Sequence, residues 1–528
     1  MPEIYFGRGI SGFFSPQAPP GDSVSVQLSF PENPMSWKTT PEQNAIIEWL
    51  GNQLVVNAFA GTGKTTTLVQ FAQANPDSKM LYLAYNRAIR DEAEQKFPFN
   101  VECKTSHQLA WSHFGRHFRH RLTANLRITD VARKLNTRHW PLARLALTGL
   151  NAFLCSAEPE PGIIHLPAED ERHGLSADKI LGAVQVLWYE VSRTESDFPI
   201  THDVYLKLFQ LSGPNLASQW DTILFDEAQD ANPVTSAFVL SQPCRVVLVG
   251  DRYQQIYRFR GADNALSSPL LEQADRLWLT TSFRFGPAVA QMANVLLAMS
   301  GEEMKVTGSG EDDEVIMHLP ADVPHFAVLS RTVSGVIGAA LSASLQERKV
   351  FWVGGIEGYK TEELEDLYWF SADMPERMQS PRLRQDYQDF EEYCSIAKAT
   401  QDVEMNQAIR LLDEYFPLPQ KLAIMRRQVV THENDAQVTV STAHRSKGLE
   451  WDVVVLNEDF CDITDPLLSA EERQDETNLL YVAVTRARKT LVLNELMLCL
   501  KAGEEQKDGG QPATDDMEND EGEAVFPC

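Results

Sequence analysis

Little in these 528 residues points to a covalent scaffold, a membrane anchor or a repeat array. Seven cysteines stand at positions 103, 155, 244, 394, 461, 499 and 528, and none forms a CxxC pair. An odd number at irregular spacing fits neither a disulfide framework nor a zinc site, so free thiols in a reducing compartment are expected. No apolar run approaches the roughly 20 residues of a membrane helix. Residues 1–15 are broken by Pro2, Gly7, Gly9 and Gly12 and lack signal-peptide architecture. The expected location is the cytoplasm, or the nucleus in a eukaryote. Basic charge is also short: 47 Lys and Arg stand against 74 Asp and Glu, a net charge of −27.

That deficit argues against a polyanionic partner only if it is spread evenly, and it is not. Residues 501–528 hold nine acidic side chains against Lys501 and Lys507. Residues 116–144 hold eight Arg and Lys with Asp130 as their sole acid. A local basic patch can bind phosphates whatever the total charge, although a solvated helix face is an equal reading of this one.

Against these absences stands one dense signal, Ala58-Phe59-Ala60-Gly61-Thr62-Gly63-Lys64-Thr65. It reads AxxxxGKT, a phosphate-cradling loop with alanine at the usual first glycine. A β-rich run, Leu54-Val55-Val56, leads into it and a helix-compatible run follows, which is the context the motif requires. Gly61 and Gly63 allow backbone N–H groups to turn onto phosphate oxygens. Lys64 is placed for the β/γ-phosphates and the Thr65 hydroxyl for Mg²⁺. Ala60 to Thr66 is thus the expected nucleotide-binding run; a glycine-rich turn before an ordinary helix is the plainer alternative.

Short apolar runs recur along the chain in two groups of five. The first is Leu54–Asn57, Met80–Tyr85, Thr222–Phe225, Arg245–Val249 and Leu277–Thr280. The second is His325–Ser330, Lys349–Val353, Val438–Ser441, Asp452–Leu456 and Thr490–Leu493. Unalternated runs suit strands buried on both faces, so two α/β layers with parallel sheets are predicted. Residues 108–215 and 355–435 carry helical pattern and read as insertions on the two sheets. Residues 1–35, rich in Pro, Gly and Ser, are expected to be weakly ordered, and the acidic segment 501–528 to be disordered.

Thr222-Ile223-Leu224-Phe225 ends at Asp226-Glu227-Ala228-Gln229-Asp230. A carboxylate at the end of a strand is where a P-loop ATPase holds Mg²⁺, which suits Asp226; Glu227 can deprotonate the attacking water. An acidic turn capping a helix is the alternative. In the loop 250–261, Gln254 and Gln255 can sense a γ-phosphate, and Tyr257 and Phe259 are flat faces for bases. Arg258 and Arg260 can reach phosphates or the 226–230 carboxylates. Aromatics at spacing two also suit a buried hairpin.

Together with Thr281-Ser282-Phe283-Arg284-Phe285, Ser441-Thr442-Ala443-His444-Arg445-Ser446-Lys447-Gly448-Leu449-Glu450 and Tyr481-Val482-Ala483-Val484-Thr485-Arg486-Ala487, these segments resemble, in order and spacing, the superfamily 1 helicases of the UvrD/Rep type. Within that group the chain is similar to the helicase part of the F-box DNA helicases, over roughly residues 36–500. No F-box is expected in residues 1–35, so a ubiquitin-ligase role is not carried over.

The resemblance implies two RecA-like P-loop NTPase domains, 36–107 with 216–281 and 282–354 with 436–500. The insertions are then 108–215 and a short 355–435. It implies that Gln43 reads adenine, Phe283 stacks on the base and Glu450 lies near the ribose. Arg284 and Arg486 would converge on the γ-phosphate, beside Gln254. It places DNA contacts at Tyr85, Asn86 and Arg87, at Thr105 and His107, at Tyr257, Phe259 and Arg260, and at Thr442 and His444. The implied activity is an ATP- and Mg²⁺-dependent 3′→5′ motor on single-stranded DNA and its junctions with duplex, serving repair or recombination. Two alternatives are a translocase that strips bound proteins without robust unwinding and an ATP-gated DNA sensor. A protein partner through the acidic tail is a further expectation.

Overall fold

The computed structural model describes residues 39–258 and 261–508. The expected weak order of 1–35, the expected disorder of 509–528, and the expected DNA contacts of Phe259 and Arg260 lie outside the described residues.

Six strands form the first sheet: β1 Gln53–Ala58, β2 Met80–Ala84, β3 Val101–Thr105, β4 Thr222–Phe225, β5 Arg245–Gly250 and β6 Asp275–Leu279. Their order is β3-β2-β4-β5-β1-β6 and every pairing is parallel. A short pair, β7 Thr281–Ser282 with β8 Thr307–Gly308, leads onward. The second sheet holds β9 Glu314–Ile316, β10 Phe326–Ser330, β11 Val350–Trp352, β12 Val438–Thr442, β13 Trp451–Leu456 and β14 Ala487–Val492. Its order is β11-β12-β10-β13-β14-β9, again all parallel. This is the two-sheet, RecA-like α/β class.

Each sheet carries one strand more than the apolar runs indicated, and both extra strands are edges. In β3 the polar Glu102 and Lys104 alternate with Val101, Cys103 and Thr105, because an edge strand is not buried on both faces. β9 is only three residues long and begins with an exposed glutamate. The central strands β2, β4 and β12 are buried at every position, which is why they read as continuous apolar runs.

Both helical stretches share the core of the sheet beside them. In the first, Ser176 caps the helix Ala177–Ser192 by accepting from the Lys179 N–H. Its buried Ile180, Val184, Leu187 and Val191, spaced three and four apart, join Leu145 and Leu150 of helix Trp140–Leu154 and Val55, Leu81 and Ile223 of the sheet. In the second, Leu364, Leu412, Leu418 and Met425 share a core with Val336, Val438 and Val440. The two stretches meet through ion pairs, Arg127 to Asp386 at 2.9 Å and Arg144 to Asp402 at 3.0 Å. Lys134 and Arg133 pair with Glu190 and Asp130, and Arg121 is buried, donating to backbone carbonyls. Four of the eight basic residues of the patch thus pair with carboxylates and Arg121 is buried, while Arg116, Arg119 and Arg138 are exposed.

One expectation is corrected at the C-terminal end. The helix Glu495–Asp508 runs eight residues into the segment 501–508 that composition marked as disordered. Met497 is buried, and Leu496, Leu498 and Leu500 pack on the second core, so the helix is nucleated before the acidic stretch begins. No helix among the described residues is long and apolar enough to cross a membrane, and the six described cysteines are free.

Candidate functional site

Strand β1 ends at Ala58, and residues 59–63 turn into the helix Lys64–Ala74. Gly61 and Gly63 have φ of +74° and +76°, a region where a side chain is strained. Gly61 is also needed for space: a Cβ there would lie 2.7 Å from Arg284 Cβ. Its carbonyl accepts from the Phe283 N–H at 2.9 Å. A Cβ on Gly63 would sit 3.2 Å from Gln43 Nε2 and 3.8 Å from the Phe283 ring. The turn that can cradle phosphates is therefore flanked by an amide and a half-exposed aromatic, suited to one edge and the face of a base.

Asp226 directly follows β4 and is buried. Tyr82 Oη donates to its Oδ2 at 2.6 Å, the Glu227 N–H donates to Oδ1 at 2.9 Å, and Thr65 Oγ1 lies 3.4 Å from Oδ2. One carboxylate and one hydroxyl, both hard oxygen donors, fit a Mg²⁺ ion that completes its shell with phosphate and water. Burial, then the neighbouring Glu227 charge, raise the Asp226 pKa.

Glu227 adopts left-handed φ and ψ of 51° and 39°, an uncommon conformation for a non-glycine residue that functional sites often hold. Its carboxylate faces Lys64 at 3.9 Å and Lys447 at 3.2 Å, and Gln229 donates to it. Burial works to raise its pKa, but the Lys447 and Lys64 charges outweigh that and hold it below the usual carboxylate range.

The second lobe reaches this site at several points. Lys447, in the turn after β12, pairs with Asp230 and donates to the Gln254 carbonyl at 2.8 Å. Tyr481 Oη, from helix Ala470–Val484, accepts from the Ala60 N–H at 3.2 Å and donates to Asp251 Oδ2 at 3.3 Å. Arg486 Nη2 donates to Gln254 Oε1 at 3.4 Å, and Gln254 Nε2 donates to Asp251 at 2.7 Å. Burial, with Arg284 nearby, pulls the Arg486 guanidinium down to about 9, which leaves it cationic at neutral pH. Arg284 pairs with Glu450 at 2.7 Å and donates to the Thr485 carbonyl at 3.0 Å. Glu450 also faces Arg488 at 3.6 Å, so this carboxylate is engaged by two arginines.

On the other side, Tyr85 stacks on Tyr257 with centroids 5.2 Å apart and planes 12° apart. Tyr257 Oη donates to the His444 carbonyl at 3.1 Å. Tyr85, Tyr257 and His444 are thus assembled, from both lobes, into one aromatic group. The other residues singled out for strand binding are elsewhere or otherwise engaged. Asn86 caps the helix Arg87–Lys96, and exposed Arg87 faces Asp91. Thr105 is the buried N-cap of helix Ser106–His113. Thr442 is buried and its hydroxyl accepts from the Arg445 N–H. His107 sits 3.4 Å from Asp203, edge-on to Tyr205 and His202. Arg258 pairs with Glu471 and Asp475, not with the 226–230 carboxylates.

Lys447, Tyr481, Asp251 and Gln229 belong to this site but had no role in the sequence reading. All lie inside motif runs quoted there; only the fold shows which of their atoms face the phosphate turn.

Two family models match the chain: the UvrD/REP helicase N-terminal domain over residues 195–274 and the UvrD-like helicase C-terminal domain over 331–496. The F-box DNA helicase protein 1 of Schizosaccharomyces pombe is 33% identical over 91% of this chain and 60% of its own length. The F-box DNA helicase 1 of Gallus gallus is 31% identical over 88% and 50%. The ATP-dependent DNA helicase UvrD2 of Mycobacterium tuberculosis is 26% identical over 51% and 46%. The chain thus spans between half and three-fifths of the two F-box relatives. Two parallel sheets facing one phosphate turn, a matched model on each, and similarity along nine-tenths of its length place this chain in the UvrD/Rep-type helicase family.

Proposed function

We propose that the chain is an ATP-dependent motor that moves 3′→5′ along single-stranded DNA and unwinds duplex, in repair or recombination. The observation that carries this is the shared site. The first lobe presents Lys64, Asp226 and Glu227, while Lys447, Arg486 and Tyr481 of the second reach Glu227, Gln254 and Ala60.

In this reading Gln43 and Phe283 hold the base, and Ala60, Gly61, Thr62, Gly63, Lys64 and Thr66 wrap the phosphates. Thr65 and Asp226 hold Mg²⁺, which when bound neutralises phosphate charge and orients the reacting oxygens. Glu227 takes the proton from the attacking water. Arg284 and Arg486 stabilise charge on the γ-phosphate, with Gln254 between Arg486 and Asp251 as the reporter of that charge. Glu450, engaged by Arg284 and Arg488, is the carboxylate near the ribose. Lys447 pairs with both Glu227 and Asp230, so the water-activating carboxylate is itself part of a contact between lobes.

Tyr85 and Tyr257 offer faces on which any base can stack, which makes binding indifferent to sequence. The Tyr257–His444 hydrogen bond joins that face to the turn carrying Lys447. The domain division at 36–107 with 216–281, and 282–354 with 436–500, belongs to this proposal. The test is phosphate release with and without single-stranded DNA, then displacement from 3′- and 5′-tailed duplexes. No stimulation by DNA would end the motor reading. Stimulation with clearance of bound protein but no displacement would replace unwinding by translocation.

A further inference from the structure

The turn 442–448 makes a third connection, away from both ATP and DNA. Arg445 points toward residues 354–360, the segment that leaves β11 and enters the second helical insertion at helix Thr361–Ser371. Its Nη2 donates to the Gly358 carbonyl. Its guanidinium lies 4.3 Å from the centroid of the Tyr359 ring. Tyr359 is buried, edge-on to Trp352 of β11, and donates to the Val353 carbonyl at 3.2 Å.

The segment itself is shaped around this arginine. A Cβ on Gly354 or Gly358 would lie 2.8 Å or 2.6 Å from Arg445 Nη1. Gly354, Gly355 and Lys360 have φ of +82°, +77° and +57°, three left-handed positions within seven residues. Such a run bends the chain sharply between a strand and a helix, where a change in direction is absorbed by few torsions.

The backbone of Arg445 is fixed at the same time. Its N–H donates to the Thr442 carbonyl at 3.0 Å. The preceding carbonyl, of His444, accepts from Tyr257 of the first lobe, and Lys447 two residues on grips Asp230 and Glu227. The four residues 444–447 therefore touch the nucleotide site, the aromatic group and the neck of the insertion.

We propose that Arg445 is a positioning residue that transmits nucleotide-dependent movement of the 442–448 turn to the neck 354–360, and so sets the orientation of the second insertion during turnover. This rests on the ATP-driven reading above. When Lys447 is displaced from Glu227, the turn shifts, and the arginine carries Gly358 and Tyr359 with it.

The experiment uses the full chain with a non-hydrolysable ATP analogue and an oligo(dT) strand. Amide hydrogen exchange is read at the phosphate turn 59–66 and at the neck 353–361, beside phosphate release and strand displacement. In the unaltered chain both segments should respond to the analogue. Arg445→Ala should keep the response at 59–66 and DNA-stimulated hydrolysis within about threefold. It should abolish the response at the neck and lower base pairs displaced per ATP by about tenfold, a coupling loss of ordinary size. Gly358→Ala, whose new methyl pushes the guanidinium away, should do the same, and Arg445→Lys should restore part of the neck response. A neck that still follows the analogue in Arg445→Ala, or never follows it in the unaltered chain while 59–66 does, overturns the proposal. Absence of any response at 59–66 would instead overturn the ATP-driven reading.

Discussion

Both sheets feed a central strand into a helix by a tight turn, yet only one of the two turns can take a phosphate. In the first, β1 passes through Gly61 and Gly63 into a helix whose N-cap makes no side-chain hydrogen bond. In the second, β10 passes through Arg331 and Thr332 into helix Val333–Leu345. There the Asp459 carboxylate accepts from the Arg331 and Thr332 N–H groups at 2.8 Å each and from the Thr332 hydroxyl at 2.7 Å. Gly335 leaves the space into which Asp459 fits. The second turn has its own anion built in; the first has glycines and Lys64. A helix N-terminus favours negative charge in both cases, and a few residues decide whether the chain or a ligand provides it.

The largest expected effect tests the division of labour that follows. Arg486→Ala should lower DNA-stimulated turnover by about 10³–10⁵ and leave ATP affinity nearly unchanged, as steady-state phosphate release beside nucleotide titration would show. Equal loss in both would deny the second lobe a transition-state role. Next, Glu227→Gln should bind ATP but lose about 10²–10⁴ in hydrolysis, the range for a general base. Unchanged turnover would remove Glu227 from the chemistry.

Gly61→Ala should cost about 1–2 kcal/mol of stability from its positive φ alone, and more from contact with Ser282 and Arg284. Weaker ATP binding should accompany the lower Tm. The smallest effect sharpens the comparison itself. Asp459→Ala should cost about 1–2 kcal/mol, the size of a lost helix cap, with no change in ATP affinity. A fall in ATP affinity there would mean that the two turns are not independent.

The fold was legible where burial is two-sided. Central strands such as β2 and β12 admit only apolar or small residues, so all eight central strands stood out as runs, together with the edges β6 and β11, whereas edges β3 and β9 mix in glutamate and lysine. The turn at 59–63 was legible because positive φ favours glycine at 61 and 63, a requirement that a short segment satisfies alone. Lys447 and Tyr481 were not, because a lysine or tyrosine becomes part of a site only when another element brings a carboxylate or an amide to it. Thr105 and Asn86 show the reverse case: short polar side chains cap helices as readily as they meet a ligand. The acidic C-terminal composition also hid a helix, since Met497 and its neighbours anchor it from upstream.

The two kinds of contact made by the second insertion will respond to different solvents. Its apolar residues are continuous with its own sheet, whereas it meets the opposite insertion both by packing of helix Phe390–Thr400 against helix Trp140–Leu154 and by the guanidinium–carboxylate contacts of Arg127 and Arg144, which are partly open to water. Added electrolyte screens the latter and leaves the former untouched. Ionic strength is therefore a dial that loosens one arm of the molecule from the other, leaving their helix–helix packing and each arm's own core in place.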